Sequence, residues 1–192
     1  SNFPAVVKPS SGSGSKGVFY SKNISQFKKL FQKNTMHYNG KNILVEKYIP
    51  GSEYAVEGWV DKSGTFKIGA ISKKKRSKLP LLFDESLIIN LKSKKINLLI
   101  NDFMKNFTKS LRLSNVPIHM EFKVFKNDLF LIDISLRGAG FSVYSKILPK
   151  IVKQNTDKII IDMFFNKNYK INKPNEKKFF LKFFYKNNFF LL

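Results

Sequence analysis

Residues 119–140 read HMEFKVFKNDLFLIDISLRGAG. Apolar and polar residues alternate on both sides of Lys126-Asn127-Asp128. That pattern predicts strands over 116–125 and 129–135, joined as an antiparallel hairpin. A turn centred near residue 127 sets Glu121 opposite Asp133. Such cross-strand partners share one face, with Cβ atoms about 4.5–5.5 Å apart. Two carboxylates so placed repel unless a cation lies between them. The chain has 13 acidic residues in 192, so two at one spot need a reason. A hard divalent cation such as Mg²⁺ takes oxygen ligands of this kind. Ser135 follows on the same face, and Arg137 lies two residues further on. A metal, a hydroxyl and a guanidinium in a row suit phosphate chemistry. The competing reading is that the two acids face solvent and balance nearby lysines.

Two upstream stretches carry related chemistry. FPAVVKPSSGSGSKGV occupies residues 3–18. A strand over 4–8 runs into a Gly/Ser loop, and a second strand resumes at 18–20. Glycine lets backbone amides approach an anion closely, and Lys8 adds a point charge. The spacing is not that of the common P-loop, and the loop leads into a strand. A plain flexible turn is the alternative. ILVEKYIPGSEYAVE occupies residues 43–57. Its first half is a buried-type strand over 42–47, in which Glu46 follows the apolar Ile43-Leu44-Val45. Pro50-Gly51 makes a turn. Glu53 and Glu57 then share one strand face, because four is a multiple of two. Pairing with lysines would also account for them.

The rest of the chain mixes helices and hairpins. Ser25 is the expected cap of a helix over 26–34. Residues 52–60 and 66–72 form a second hairpin, and 73–90 read as irregular. Helical spacing covers 92–112 through Ile96, Leu99, Ile100, Phe103, Phe107 and Leu111. A further helix is expected over 155–165 and a last strand over 178–185. This order is α+β rather than all-parallel.

Composition narrows the function. Lys and Arg number 35, giving a formal charge of +22. Such a chain attracts polyanions, nucleic acid first among them. The dense run is Lys73, Lys74, Lys75, Arg76 and Lys78. Lys, Asn, Ile and Phe are all abundant, as AT-rich codons alone would produce. Nucleic-acid binding is therefore kept as an alternative rather than the expected role. A hydrophobic content of 43% excludes intrinsic disorder. The absence of Cys excludes disulfide scaffolds, Cys-based zinc sites and thiol catalysis. No apolar run approaches the ~20 residues of a membrane span. No basic segment followed by an apolar stretch opens the sequence. A soluble, cytoplasmic protein with no membrane partner is expected.

Taken together and in this order, the three stretches resemble the ATP-grasp family. The pattern is most similar to its biotin carboxylase and carbamoyl-phosphate synthetase branch, which includes many carboxylate–amine ligases. The resemblance spans residues 3–141 and continues more faintly to about 165. It implies an α+β ATP-grasp fold with two lobes of antiparallel sheet and helices, and ATP between them. One lobe would cover 3–50 and carry a flap, and the other 51–165 and carry the metal site. Residues 166–192 would begin a C-terminal extension. Lys8 resembles the lysine that contacts nucleotide phosphates. Ser11, Gly12, Ser13, Gly14, Ser15, Lys16 and Gly17 resemble the flap over the β- and γ-phosphates. Glu46, Lys47, Tyr48 and Ile49 resemble the segment that reads adenine, and Glu53 the ribose-binding acid. Glu121 and Asp133 resemble the acids that hold Mg²⁺ or Mn²⁺, with Ser135 as third ligand. Arg137 resembles the arginine that steadies the acyl phosphate or the transferred phosphoryl group. Asp133 stands where the family usually has Glu, and Ser135 where it usually has Asn.

The implied activity is that of an ATP-dependent, carbon–nitrogen bond-forming ligase. It would activate a small-molecule carboxylate as an acyl phosphate for attack by an amine or similar nucleophile. Family members carry a preceding α/β domain of about a hundred residues. The chain is thus read as a fragment, whose missing N-terminal domain or a separate subunit would complete the site. A homodimer is one further option. A catalytically silent ATP-grasp domain is the alternative.

Overall fold

The computed structural model describes residues 3–12, 14–39 and 42–184. Strand β1 (Ala5–Pro9), strand β2 (Phe19–Ser21), helix α1 (Ile24–Lys33) and strand β3 (Ile43–Lys47) come first. The three strands pair antiparallel in the order β2-β1-β3. Val7 and Phe19 are buried with Tyr38, and Phe27, Leu30 and Phe31 pack against them. Helix α1 starts earlier than Ser25 would allow. Asn23 caps it instead, its side chain accepting the Gln26 amide at 2.9 Å. The Gln26 side chain accepts the Lys22 amide at 2.8 Å in return. The Asn23 cap satisfies a helix-end amide and favours the earlier start. Strand β3, expected to be buried, is exposed along its whole length. It is an edge strand of the sheet, with a neighbour on one side only.

The second sheet is built from β4 (Ser52–Val60), β5 (Phe66–Arg76), β6 (Asp84–Ile89), β7 (Val116–Phe125), β8 (Asp128–Ser135) and β9 (Phe179–Lys182). Their order is β8-β7-β4-β5-β6-β9. The pairs β4–β5, β4–β7 and β7–β8 are antiparallel. Helix α2 (Lys94–Ser110) lies between β6 and β7 in the chain, and short α3 (Leu148–Val152) and α4 (Thr156–Phe164) follow β8. Residues 73–90 are therefore not irregular: β5 continues to Arg76, and β6 supplies a further strand. Lysines read as loop composition here, yet Lys74 turns inward to acids that neutralise it.

One face of this sheet is apolar. Tyr54, Val56, Ile71, Ile118, Met120 and Phe122 pack there with Ile96, Ile100 and Met104 of α2. Leu99, Phe103 and Phe107 pack partly, while Leu111 lies past the helix end and is exposed. Because side chains alternate, the residues between these point to the other face. That second face carries the charged groups described below.

The chain divides into two compact units. The described residues of 3–50, 75–86 and 182–184 form one, and 51–74 with 87–181 form the other. No helix among the described residues is long and apolar enough to cross a membrane.

Candidate functional site

In the first unit, Lys8 and Glu46 meet across β1 and β3. Val6 pairs with Glu46 and Lys8 with Leu44, so Lys8 and Glu46 are diagonal neighbours. The Lys8 Nζ lies 2.9 Å from Glu46 Oε2. Lys47 ends β3 and is exposed. Tyr48 donates its amide to Pro4 O at 3.0 Å, and its ring meets Tyr20 edge-on at 4.9 Å. Ile49 is half-buried. The loop between β1 and β2 keeps Ser11, Gly12, Gly14 and Lys16 exposed, and Ser15 half-buried. Ser13 lies outside the described residues. The loop ends on Gly17, at φ +74°, where an added Cβ would lie 2.7 Å from His37 Cβ. Only glycine fits that position. Its carbonyl accepts the buried Tyr38 hydroxyl, which anchors the loop to the small core.

Arg76 holds a second segment beside this loop. Its guanidinium donates to Asp84 Oδ1 and Leu82 O at 2.6 Å each, and reaches Ser15 Oγ at 3.5 Å. Lys75 pairs with Glu85 at 3.0 Å. The basic run of 73–78 is thus no continuous cationic strip.

In the second unit, a chain of charges lies on the non-α2 face of the sheet. Glu57 faces His119 across β4 and β7, and Ala55 faces Glu121. His119 Nδ1 donates to Glu57 Oε1 at 2.5 Å, and its Nε2 lies 3.4 Å from Glu121 Oε1. Lys74 Nζ donates to the same Glu121 oxygen at 2.5 Å and stands 3.6 Å from Glu53 Oε1. The Lys74 side chain is only 3% exposed, so an ammonium there needs both acids. Burial alone would lower the His119 imidazole. The hydrogen bonds and charges of Glu121 and Glu57 outweigh it and push His119 up to about 9. Burial acts to raise Glu121, but His119 and Lys74 hold its carboxyl well below the usual carboxylate range. Burial pushes Glu57 up, with His119 and the Ala139 amide opposing.

Asp133 and Ser135 extend this face. Glu121 pairs with Asp133, and His119 with Ser135. Asp133 is exposed and Ser135 half-buried. Arg137 follows, exposed, with its guanidinium donating to Gly138 O at 2.8 Å. Next along, the Ala139 amide donates to Glu57 Oε2 at 3.0 Å. Gly138 lies against the Tyr144 ring so closely that an added Cβ would sit 2.2 Å from Tyr144 Cγ. Tyr144 in turn accepts from Trp59 Nε1 at 2.9 Å. The structure thus groups Glu53, Glu121, Asp133 and Ser135 on one sheet face, and Lys8 with Glu46 in the other unit. It adds Glu57, Lys74 and His119 to the network. Their signal was present: His119 stands two residues before Glu121, on the same strand face.

The model of the ATP-grasp domain matches residues 1–145. The chain belongs to the ATP-grasp family. Solved structures with the ATP-grasp fold of this chain include the L-amino acid ligase from Bacillus licheniformis. It is 22% identical over 83% of this chain and 38% of that one, with a TM-score of 0.67. A biotin carboxylase from Campylobacter jejuni is 16% identical over 90% of this chain and 40% of that one, at 0.68. N5-carboxyaminoimidazole synthetase from Staphylococcus aureus is 15% identical over 91% and 44%, at 0.66. The chain therefore spans less than half the length of each of these three structures. At these identities the likeness concerns the α+β fold. No curated protein matches the chain.

The oxygen atoms grouped on this sheet face are of the kind a hard cation takes. Glu121, Asp133 and Ser135 offer only oxygen, which Mg²⁺ and Mn²⁺ prefer. No cluster of three or more His, Cys, Asp or Glu placed to hold a metal is found among the described residues. Mg²⁺ does not require one, since it commonly takes one or two carboxylates and completes its shell with phosphates and water.

Proposed function

We propose that this ATP-grasp domain binds Mg²⁺-ATP and serves an ATP-dependent ligase of the acyl-phosphate type. The observation that carries this reading is the register of β7 and β8, which lines up Glu121 with Asp133 and His119 with Ser135 on one face. In that reading, Glu121, Asp133 and Ser135 hold the metal. Lys8 neutralises phosphate charge, and the amides of Ser11, Gly12, Ser13, Gly14, Ser15, Lys16 and Gly17 wrap the phosphates. Glu46, Lys47, Tyr48 and Ile49 read the adenine edge, and Glu53 bonds the ribose. Mg²⁺, when bound, would supply charge neutralisation at the phosphates.

The chemistry explains why such groups are needed. A carboxylate is a poor electrophile, because its oxygen is a bad leaving group. Attack of the carboxylate oxygen on the γ-phosphorus breaks the bond to the β-phosphate oxygen and releases ADP. The acyl phosphate then accepts the nitrogen lone pair of an amine at its carbonyl carbon. Inorganic phosphate leaves, and the nitrogen loses a proton. Arg137, exposed beside the metal candidates in the chain, would steady the phosphoryl oxygens through charge-assisted hydrogen bonds. The carboxylate and the amine would be small molecules.

Titration calorimetry on Lys8→Ala and Asp133→Asn tests the reading. Each variant is expected to lose most of its Mg²⁺-ATP affinity. Wild-type affinity in both would overturn it.

A further inference from the structure

We propose that Glu57 is a positioning residue: its buried carboxylate locks the loop that carries Arg137 to the strand that carries Glu121. The proposal rests on the functional reading given above for those two residues. Glu57 itself is not among the residues assigned there to metal or nucleotide.

Glu57 is 2% exposed and stands mid-strand in β4. Burying a carboxylate is costly unless it is paired, and an apolar residue at such a place is often neutral or stabilising. The neighbours at this level of the sheet include Ala55, Ala70 and Trp59, all buried, so an aliphatic side chain suits the surroundings. The acid is nevertheless present, and both of its oxygens are used. Oε1 accepts from His119 Nδ1 at 2.5 Å, and Oε2 accepts from the Ala139 amide at 3.0 Å. The first bond fixes the imidazole so that Nε2 addresses Glu121 Oε1, 3.4 Å away. The second fixes the backbone two residues beyond Arg137. One side chain therefore sets two groups on different segments.

Two breaks in strand register frame this arrangement. The β4–β5 pairing shifts between Glu57 and Gly58, and the β7–β8 pairing shifts between Glu121 and Phe122. Bulges re-aim side chains and cluster beside active sites. Here each adjoins one of the two acids that flank His119. The loop end is held from the other side as well, since Gly138 rests on the Tyr144 ring. Arg137 thus projects from a short segment fixed at its very next two residues.

The test uses the 192-residue chain and its Glu57→Gln variant. A glutamine keeps the size and removes the charge, and it cannot accept with both ends. Two measurements need no ligand: amide exchange at Ala139, and the NMR signature of the His119 Nδ1 proton. The Ala139 amide is expected to exchange about tenfold faster or more in the variant, and the low-field Nδ1 proton to move or vanish. Mg²⁺-ATP affinity is expected to fall by about tenfold. His119→Gln is the second variant. It keeps the Glu57 bond to Ala139 and cuts the link to Glu121, so affinity should fall while Ala139 protection remains. A folded Glu57→Gln protein in which both the Ala139 exchange and the His119 Nδ1 proton signal are unchanged overturns the proposal. If Glu57→Gln does not fold, wild-type affinity in His119→Gln overturns it. A wild-type chain that binds no Mg²⁺-ATP contradicts the functional reading instead, and the two ligand-free measurements still decide the role of Glu57.

Discussion

Glu121 and Asp133 face each other across β7 and β8 because β8 carries one extra residue between the turn and that pair. The turn is the two-residue step Lys126-Asn127, both at positive φ, the geometry that closes tight hairpins. It pairs Phe125 with Asp128 and Phe122 with Leu131. Continued without a break, that register would set Glu121 against Ile132. The bulge shifts it by one and brings Asp133 into place.

Replacing Asp133 by Asn tests the use of this pair. Asp133 is exposed, so the fold should survive, as circular dichroism would report. The Mn²⁺ dissociation constant, read by electron paramagnetic resonance with ATP present, should rise by about tenfold or more. An unchanged value would mean that Asp133 holds no metal.

Lys74→Met probes the buried cation. Its removal leaves Glu53 and Glu121 side by side without the ammonium that joins them. A loss of roughly 3–5 kcal/mol is expected for breaking a buried pair by one partner. Urea denaturation measures it. A loss near zero would show that the acids do not need Lys74.

Stability should depend on pH through His119. Its ordinary value of 6.5 is raised to about 9 in the folded chain. A raised value means that the folded state holds the proton more tightly, so the stabilisation is complete below about pH 6.5. It is lost as pH rises through about 9. On the acid side, Glu121 is depressed from 4.5. Its contribution is present above that value and lost as pH falls further. Melting temperatures of the wild type and His119→Gln should therefore differ at pH 6 and converge near pH 10. A gap that stays constant across this range would contradict the assignment.

Gly138→Ala should disturb the packing behind Arg137. The new Cβ meets the Tyr144 ring at 2.2 Å, and overpacking of this kind costs about 1–3 kcal/mol. Trp59 is the only tryptophan and bonds to the Tyr144 hydroxyl, so its fluorescence is a local reporter. An unchanged spectrum and melting temperature would show that the ring moves aside without cost.

Much of the fold was legible from local patterns. Alternation marked β4, β7 and β8, helical spacing marked α2, and a further helix was expected where α4 lies. The failures have physical causes. The end of β5 was missed because lysines there look solvated, whereas Lys74 is held inside by Glu53 and Glu121 from β4 and β7. Strand β3 looked buried because Ile43, Leu44 and Val45 are apolar, yet an edge strand can leave such residues exposed. The Glu121–Asp133 pairing was reached with a turn placed half a residue off, and the bulge that compensates leaves no mark in composition. The charge network was half visible. The two acids stood out because acids are scarce. Glu57 shows in the sequence only as sharing a strand face with Glu53, and His119 reads as an ordinary strand residue; only the cross-strand register joins the two.

Calorimetric titration of the 192-residue chain with ATP, in Mg²⁺ and then in excess chelator, is the most direct measurement. Saturable one-site binding in Mg²⁺, weakened by about tenfold or more without it, is the predicted result. No heat of binding in Mg²⁺ at millimolar-range ATP, or equal affinity with and without the metal, would contradict Mg²⁺-ATP binding by this domain.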